Sequence, residues 1–247
     1  PRAFAMSEQS TSSWERLALV FGKIFSVTFL DSLVDETHEC LKKLSSPPAD
    51  HAFLRVFPSL LRSVSWRLDE ASPGASSTPA NQTNMKMLKE LSWLMSRAQT
   101  ANHGTASEVA ECIRLVFGAL SPESLPTVLS ELQGEIVHWL TATTNRAGPA
   151  TQDASFSVAV LAAFQAFCEC VRRSNEESQV ANIGLYLPVF ECALSSESRE
   201  IRAAMVELWN ATYGVCTSPA LDCPEVLCDM VIDVAEKDQL EVKMIFL

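Results

Sequence analysis

Chemistry at a protein site needs nucleophiles, acids and bases or metal ligands brought together, and this chain has 8 cysteines and 4 histidines to build with. Cys168 and Cys170 stand two apart in a helical pattern, roughly 200° apart around the axis, so the two thiols cannot reach one ion. His38-Glu39-Cys40 has the same fault. Cys223 and Cys228 flank Pro224 at a spacing wider than Cys-x-x-Cys, with no histidine pair nearby. The expected role of these cysteines is that of small buried apolar groups. His38, His51, His103 and His138 lie in unrelated contexts, and no Gly-x-Ser-x-Gly elbow accompanies them. The glycines Gly22 and Gly118 are isolated within helical patterns and form no phosphate loop. The sequence therefore predicts no enzyme, no metal and no cofactor.

Two short patterns could serve recognition or modification. Arg62-Ser63-Val64-Ser65-Trp66 resembles the docking motif for protein phosphatase one, which binds as an added strand and buries its Val and aromatic residue in pockets. Here Leu61, Val64 and Leu68 also share one helical face, so a core role for Arg62, Val64 and Trp66 is the stronger expectation. Asn81-Gln82-Thr83 and Asn210-Ala211-Thr212 match the N-glycosylation pattern, which has no use in a chain that is not secreted.

Composition narrows the class. With 47% apolar and 20% charged residues, the 247-residue chain can bury a core. Its net charge of −11 opposes a broad nucleic-acid footprint, which needs excess Lys and Arg to displace counterions from phosphates. The imbalance is concentrated in residues 151–247, where six Lys or Arg face fifteen Asp or Glu. Such a surface repels DNA and suits a basic protein partner. Sparse cysteines without a framework fit a reducing compartment. Leu17–Leu30 is too short and too charged to span a bilayer, so no membrane association is expected. Pro1 at one end and Met244-Ile245-Phe246-Leu247 at the other suggest an excerpt of a longer protein.

The elements that must position these residues are helical throughout. Trp14, Leu17, Val20, Phe21, Ile24 and Phe25 recur at three- and four-residue steps, with Ser12 or Ser13 as an N-cap. Similar patterns cover 49–70, 84–101, 107–120, 122–143, 153–173, 180–194, 198–213 and 224–236. Ser46-Pro47-Pro48, His103-Gly104, Gly148-Pro149 and Ser218-Pro219 read as stops, and Ser121-Pro122 as a capped start. No Asn-Gly or Asp-Gly turn separates alternating apolar runs. Residues 71–83 lack apolar anchors and are expected to form a flexible loop, with Ser72-Pro73 and Thr78-Pro79 as possible sites for a proline-directed kinase. The fold expected is all-α, one segment over 1–247 arranged as a HEAT/armadillo-like α-solenoid of antiparallel helix pairs.

The repeat is sharpest in the C-terminal third. A helix with an internal proline, Leu185-Tyr186-Leu187-Pro188-Val189-Phe190, is followed by a tight polar turn at Ser195-Ser196-Glu197. A second helix then opens with Ile201-Arg202-Ala203-Ala204. This resembles the HEAT repeat, whose alanines admit close helix pairs and whose arginine ties neighbouring turns. Further on come Leu208-Trp209-Asn210-Ala211-Thr212-Tyr213-Gly214 and Cys223-Pro224-Glu225-Val226-Leu227. Together with Ile201-Arg202, they resemble the signature that closes the HEAT-repeat domain of the Rap-interacting-factor family, the telomere-associated Rif proteins. Cys223 stands in place of the family's tyrosine and Tyr213 in place of its phenylalanine, and the close likeness covers about 183–234. Trp209 and Tyr213, one turn apart, are expected to anchor in the core. Asn210 and Thr212 can satisfy main-chain groups at the helix end, Gly214 suits a left-handed cap, and Pro224-Glu225 starts the next helix. The resemblance implies a non-catalytic scaffold of a large nuclear chromatin regulator. Its implied roles are control of replication timing through protein phosphatase one, telomere maintenance and double-strand-break repair. The alternative is a generic HEAT/armadillo adaptor that cradles a basic peptide or protein partner.

Overall fold

The computed structural model describes residues 57, 58, 61, 79–98, 103–145, 154–178, 183–215 and 224–244. Arg62, Val64 and Trp66 lie outside the described residues, as do His38, His51, Cys223 and residues 71–78. Among the described residues the chain is all-α and no strand occurs. Seven helices follow one another: α1 Pro79–Ala98, α2 His103–Ala119, α3 Leu125–Asn145, α4 Ala154–Ser178, α5 Ile183–Leu194, α6 Arg199–Ala211 and α7 Glu225–Asp238. Short 3-10 turns at Pro122–Ser124 and Tyr213–Val215 precede α3 and follow α6.

Several boundaries differ from the sequence reading, each for a local reason. α1 begins at Pro79, so the last five residues of the expected loop 71–83 are helical. A proline is at ease in a first turn, where its missing N–H would have had no intrahelical partner. His103-Gly104 opens α2 instead of ending a helix, because glycine is least disruptive in a terminal turn. Ser121 makes no side-chain cap to the main chain. Its hydroxyl lies 2.8 Å from that of Ser124, and Pro122 starts a 3-10 turn that hands over to α3. Arg97 in the last turn of α1 suits the negative end of the helix and also lies 4.9 Å from the Trp93 ring centroid.

Each helix packs on the next but one, and the consecutive pairs α1–α2, α3–α4, α5–α6 and α6–α7 pack as well. α2 meets α4 along the most extensive contact, and α4 meets α6. On the other side α1 packs on α3, α3 on α5 and α5 on α7. The core between them is continuous. Phe117 of α2 meets Phe167 of α4 edge-on at 5.3 Å, and Phe167 meets Phe190 of α5 at 6.5 Å. Phe190 in turn reaches Tyr213 at 5.9 Å, which lies 5.9 Å from Trp209. Polar links cross the same interfaces. Trp139 Nε1 donates to the Met95 carbonyl at 2.8 Å, tying α3 to α1. Arg173 donates to the Phe117 carbonyl at 3.0 Å, where α2 is close to its C-terminal end. Pro188 has no N–H to offer the Gly184 carbonyl one turn back in α5; the next carbonyl along, that of Leu185, accepts from Gln133 of α3 at 2.6 Å.

Phe167 joins three aromatic neighbours and is fully buried, so Phe167→Ala is expected to lower unfolding free energy by about 3–5 kcal/mol. Val158, 66% exposed on the same helix, provides the control, and Val158→Ala is expected to change stability by less than about 0.5 kcal/mol. Urea titrations of both variants followed by circular dichroism measure the difference.

Candidate functional site

The structure brings most of the C-terminal motif into one region around α6. That helix forms because Ser198 caps it: the Ser198 hydroxyl accepts from the Ile201 N–H at 3.3 Å and donates to Glu200 at 2.9 Å. Its apolar positions Ile201, Met205, Leu208 and Trp209 are buried. Arg202, the fourth residue of the helix, is buried among them at 6% exposure.

A buried guanidinium needs partners for its N–H groups. Arg202 donates from Nε and Nη2 to both carboxylate oxygens of Asp238, at 2.6 and 2.7 Å. Its Nη1 donates to the carbonyls of Ser196 and Glu197, at 2.6 and 2.9 Å. One side chain thus fixes the turn between α5 and α6 and the last residue of α7. The bidentate hydrogen bonds from Arg202 hold the Asp238 carboxyl below the usual carboxylate range, and Asp238 raises the Arg202 guanidinium in return. Arg199 adds a bond from its own guanidinium to the Asp238 carbonyl at 3.1 Å.

At the other end of α6 the motif residues hold main chain. Trp209 is 2% exposed and donates from Nε1 to the Lys243 carbonyl at 3.1 Å. Asn210 makes two bonds, donating to the Glu241 carbonyl and accepting from the Lys243 N–H, each at 2.7 Å. The Thr212 hydroxyl donates to the Leu208 carbonyl at 2.6 Å, and Thr212 is the C-cap. Tyr213 is buried in the aromatic run. Pro224 is the N-cap of α7, its carbonyl accepting from Leu227 and Cys228, and Glu225 is exposed in the first turn.

Gly214 corrects the sequence reading. The left-handed residue among the described non-glycines is Gln239 at φ 56°, which ends α7. Gly214 sits in the 3-10 turn after Thr212 and takes no positive φ. It must be glycine because of close approach: a Cβ there would collide with the Lys243 carbonyl and the Trp209 indole. The sequence also hid Asp238 and the main chain of 241–243. An arginine buried by the pattern of α6 calls for a carboxylate, but nothing in the spacing picks Asp238 from the acidic residues around it.

The arrangement ties α6 to the α5–α6 turn, to the end of α7 and to the chain after it. Burial pushes the Cys170 thiol up to about 11 and the Cys168 thiol further, so both stay protonated and inert near neutral pH. Among the described residues no three His, Cys, Asp or Glu side chains converge as metal ligands. A cavity of about 30 Å³ between α1, α2, α3 and α4 is lined by apolar groups such as Met95, Phe117, Trp139 and Phe164. That is far below the few hundred Å³ of a cofactor pocket. Among the described residues no helix is long and apolar enough to cross a membrane.

Asp238→Ala would strand the buried Arg202 charge, with an expected loss of about 3–5 kcal/mol in denaturant titration. The pH dependence follows from the lowered carboxyl. Its contribution is complete above the unfolded value of about 3.9 and fades as pH falls through the lower folded value. Stability measured from pH 6 down to pH 2 is expected to fall less steeply in Asp238→Ala than in the wild type. Trp209→Ala is expected to cost about 3–5 kcal/mol, with hydrogen exchange rising first in α6 and α7. No family model, curated protein or solved structure matches this chain.

Proposed function

We propose that this chain is a non-catalytic scaffold segment, a HEAT/armadillo-like α-solenoid, of a Rif-like nuclear chromatin regulator. The observation that carries the reading is the use made of the motif around α6. Ile201, Arg202, Trp209, Asn210, Thr212 and Tyr213 are all engaged in packing or in holding main chain, which is the work of a repeat and not of a reaction centre. Packing of each helix on the next but one along the described residues supports a stacked array of helix pairs. On this reading the whole protein acts at chromosomes and telomeres in the nucleus. It engages protein phosphatase one and chromatin through other segments and influences replication timing and double-strand-break repair. The helical array holds those segments in place.

A second reading has its own observation. Glu225, Asp229, Asp233 and Glu236 are exposed on α7 at spacings of four, four and three, so they line one side of the helix. A basic peptide would fit against that stripe, as in an adaptor for transport or assembly.

Tagged full-length protein separates the two. Nuclear foci at telomeres, with replication timing altered on depletion, are the expected result. A cytosolic distribution with normal timing would overturn the nuclear reading and favour the adaptor. For the chain itself, we expect duplex DNA binding weaker than micromolar near physiological salt, because a net charge of −11 offers little counterion release. Fluorescence anisotropy across a salt series measures it, and submicromolar, salt-sensitive affinity would contradict it.

A further inference from the structure

The chain does not simply end its fold at α7. Gln239, in the left-handed conformation, turns it back, and the Leu240 N–H bonds to the Ala235 carbonyl at 2.8 Å. Residues Leu240–Met244 then run past the C-terminal end of α6. We propose that Trp209, Asn210 and Gly214 form a clamp that grips this strap by its main chain alone, and that the strap opens as a unit while the helices stay folded.

The grip follows from which atoms are held. The Glu241 carbonyl, the Lys243 N–H and the Lys243 carbonyl each bond to the clamp. Residues two apart on an extended segment turn their main-chain groups to the same edge. The planar amide of Asn210, with a donor and an acceptor side by side, supplies the pairing a neighbouring strand would supply. Trp209 adds the third bond, and the bare main chain of Gly214 lets the Lys243 carbonyl come close enough to make it. The side chains of Glu241 and Lys243 are exposed, and neither takes part in the clamp's hydrogen bonds. Recognition is therefore blind to their chemistry, with one condition: position 243 must carry an N–H and cannot be proline.

Release as a unit follows from the shallowness of the strap's hold. Leu240, Val242 and Met244 pack against the edge of the core but none is fully buried, and both Asn210 bonds are open to solvent. The helices beside it carry fully buried Met205, Leu227 and Val231. Elements with few buried apolar contacts and exposed hydrogen bonds open locally, well below the free energy of global unfolding. Opening uncovers the Trp209 indole edge and the Gly214 main chain.

Native-state hydrogen exchange by NMR on the full 247-residue chain tests both parts. In the wild type the Lys243 amide is expected to exchange slower than an unprotected amide and at least about a hundredfold faster than the Val231 amide. Asn210→Ala is expected to speed Lys243 exchange roughly thirtyfold, the equivalent of two ordinary hydrogen bonds, with Val231 unchanged. Lys243→Ala is expected to leave the Trp209 indole N–H protected, whereas Lys243→Pro exposes it. Equal exchange at Lys243 and Val231 in the wild type would show that the strap opens only with the whole protein and would overturn the release. An unchanged Lys243 rate in Asn210→Ala, or equal indole protection in Lys243→Ala and Lys243→Pro, would overturn the clamp. If Asn210→Ala does not fold, the two Lys243 variants decide it.

Discussion

The buried charge of Arg202 is the constraint on which the C-terminal half of the structure depends. A guanidinium at 6% exposure is tolerable only if its N–H groups are met, and bonds to Asp238, Ser196 and Glu197 meet four of the five. Such a pair is a poor source of net stability, since the loss of hydration offsets most of the attraction. Its effect is geometric. Only one placement of α7 brings Asp238 to both Nε and Nη2, and only one shape of the α5–α6 turn aims two carbonyls at Nη1. Apolar packing between helices tolerates sliding; a bidentate pair does not.

From that fixed point the rest of the terminal region follows by length. Arg202 and Asn210 are eight residues apart on α6, about 12 Å along the axis at the helical rise. Asp238 is held beside the first and Glu241 and Lys243 beside the second. Five residues reach at most roughly 17 Å when extended and rise only about 7.5 Å when helical. A chain that is fixed at Asp238 and must pass the far end of α6 therefore has to leave the helical conformation, which accounts for the end of α7 at Asp238. Gln239 takes the left-handed conformation at that point with no glycine to ease it, as the reversal of direction requires. Arg202 and Asn210 thus work as a pair, one fixing where α7 ends and the other where the chain after it goes.

The sequence made some of this legible and concealed the rest for physical reasons. Helix periodicity exposed α1 to α7 because each has an apolar face against its neighbours, and the likeness to the HEAT repeat marked Arg202 as a tie between turns. Boundaries were less accessible. Pro79 was read as part of a loop and His103-Gly104 as a stop, yet a first turn tolerates proline and glycine, so these residues mark a start as readily as a stop. Gly214 was read as a conformational glycine because helix ends so often need one. Its actual reason, the nearness of the Lys243 carbonyl, arises from a segment about thirty residues away and leaves no local trace. The partners of Asn210 were hidden for the same cause: they are main-chain atoms, which every residue possesses, so side-chain identities at 241 and 243 carry no signal.

That last point bears on what a motif of this kind means. The run from Trp209 to Gly214 has the residue types of a recognition site: an indole donor, an amide, a hydroxyl, a phenol and a glycine. In the fold the indole and the amide hold the strap, the hydroxyl back-bonds within its own helix, the phenol ring packs in the aromatic run, and the glycine makes room. A motif used in this way marks a position in an architecture, and its chemistry is spent internally. What the packing leaves outside, the acidic side of α7 among it, is constrained by charge and exposure more than by identity. The part of the sequence that is easiest to recognise and the part left exposed are therefore different parts.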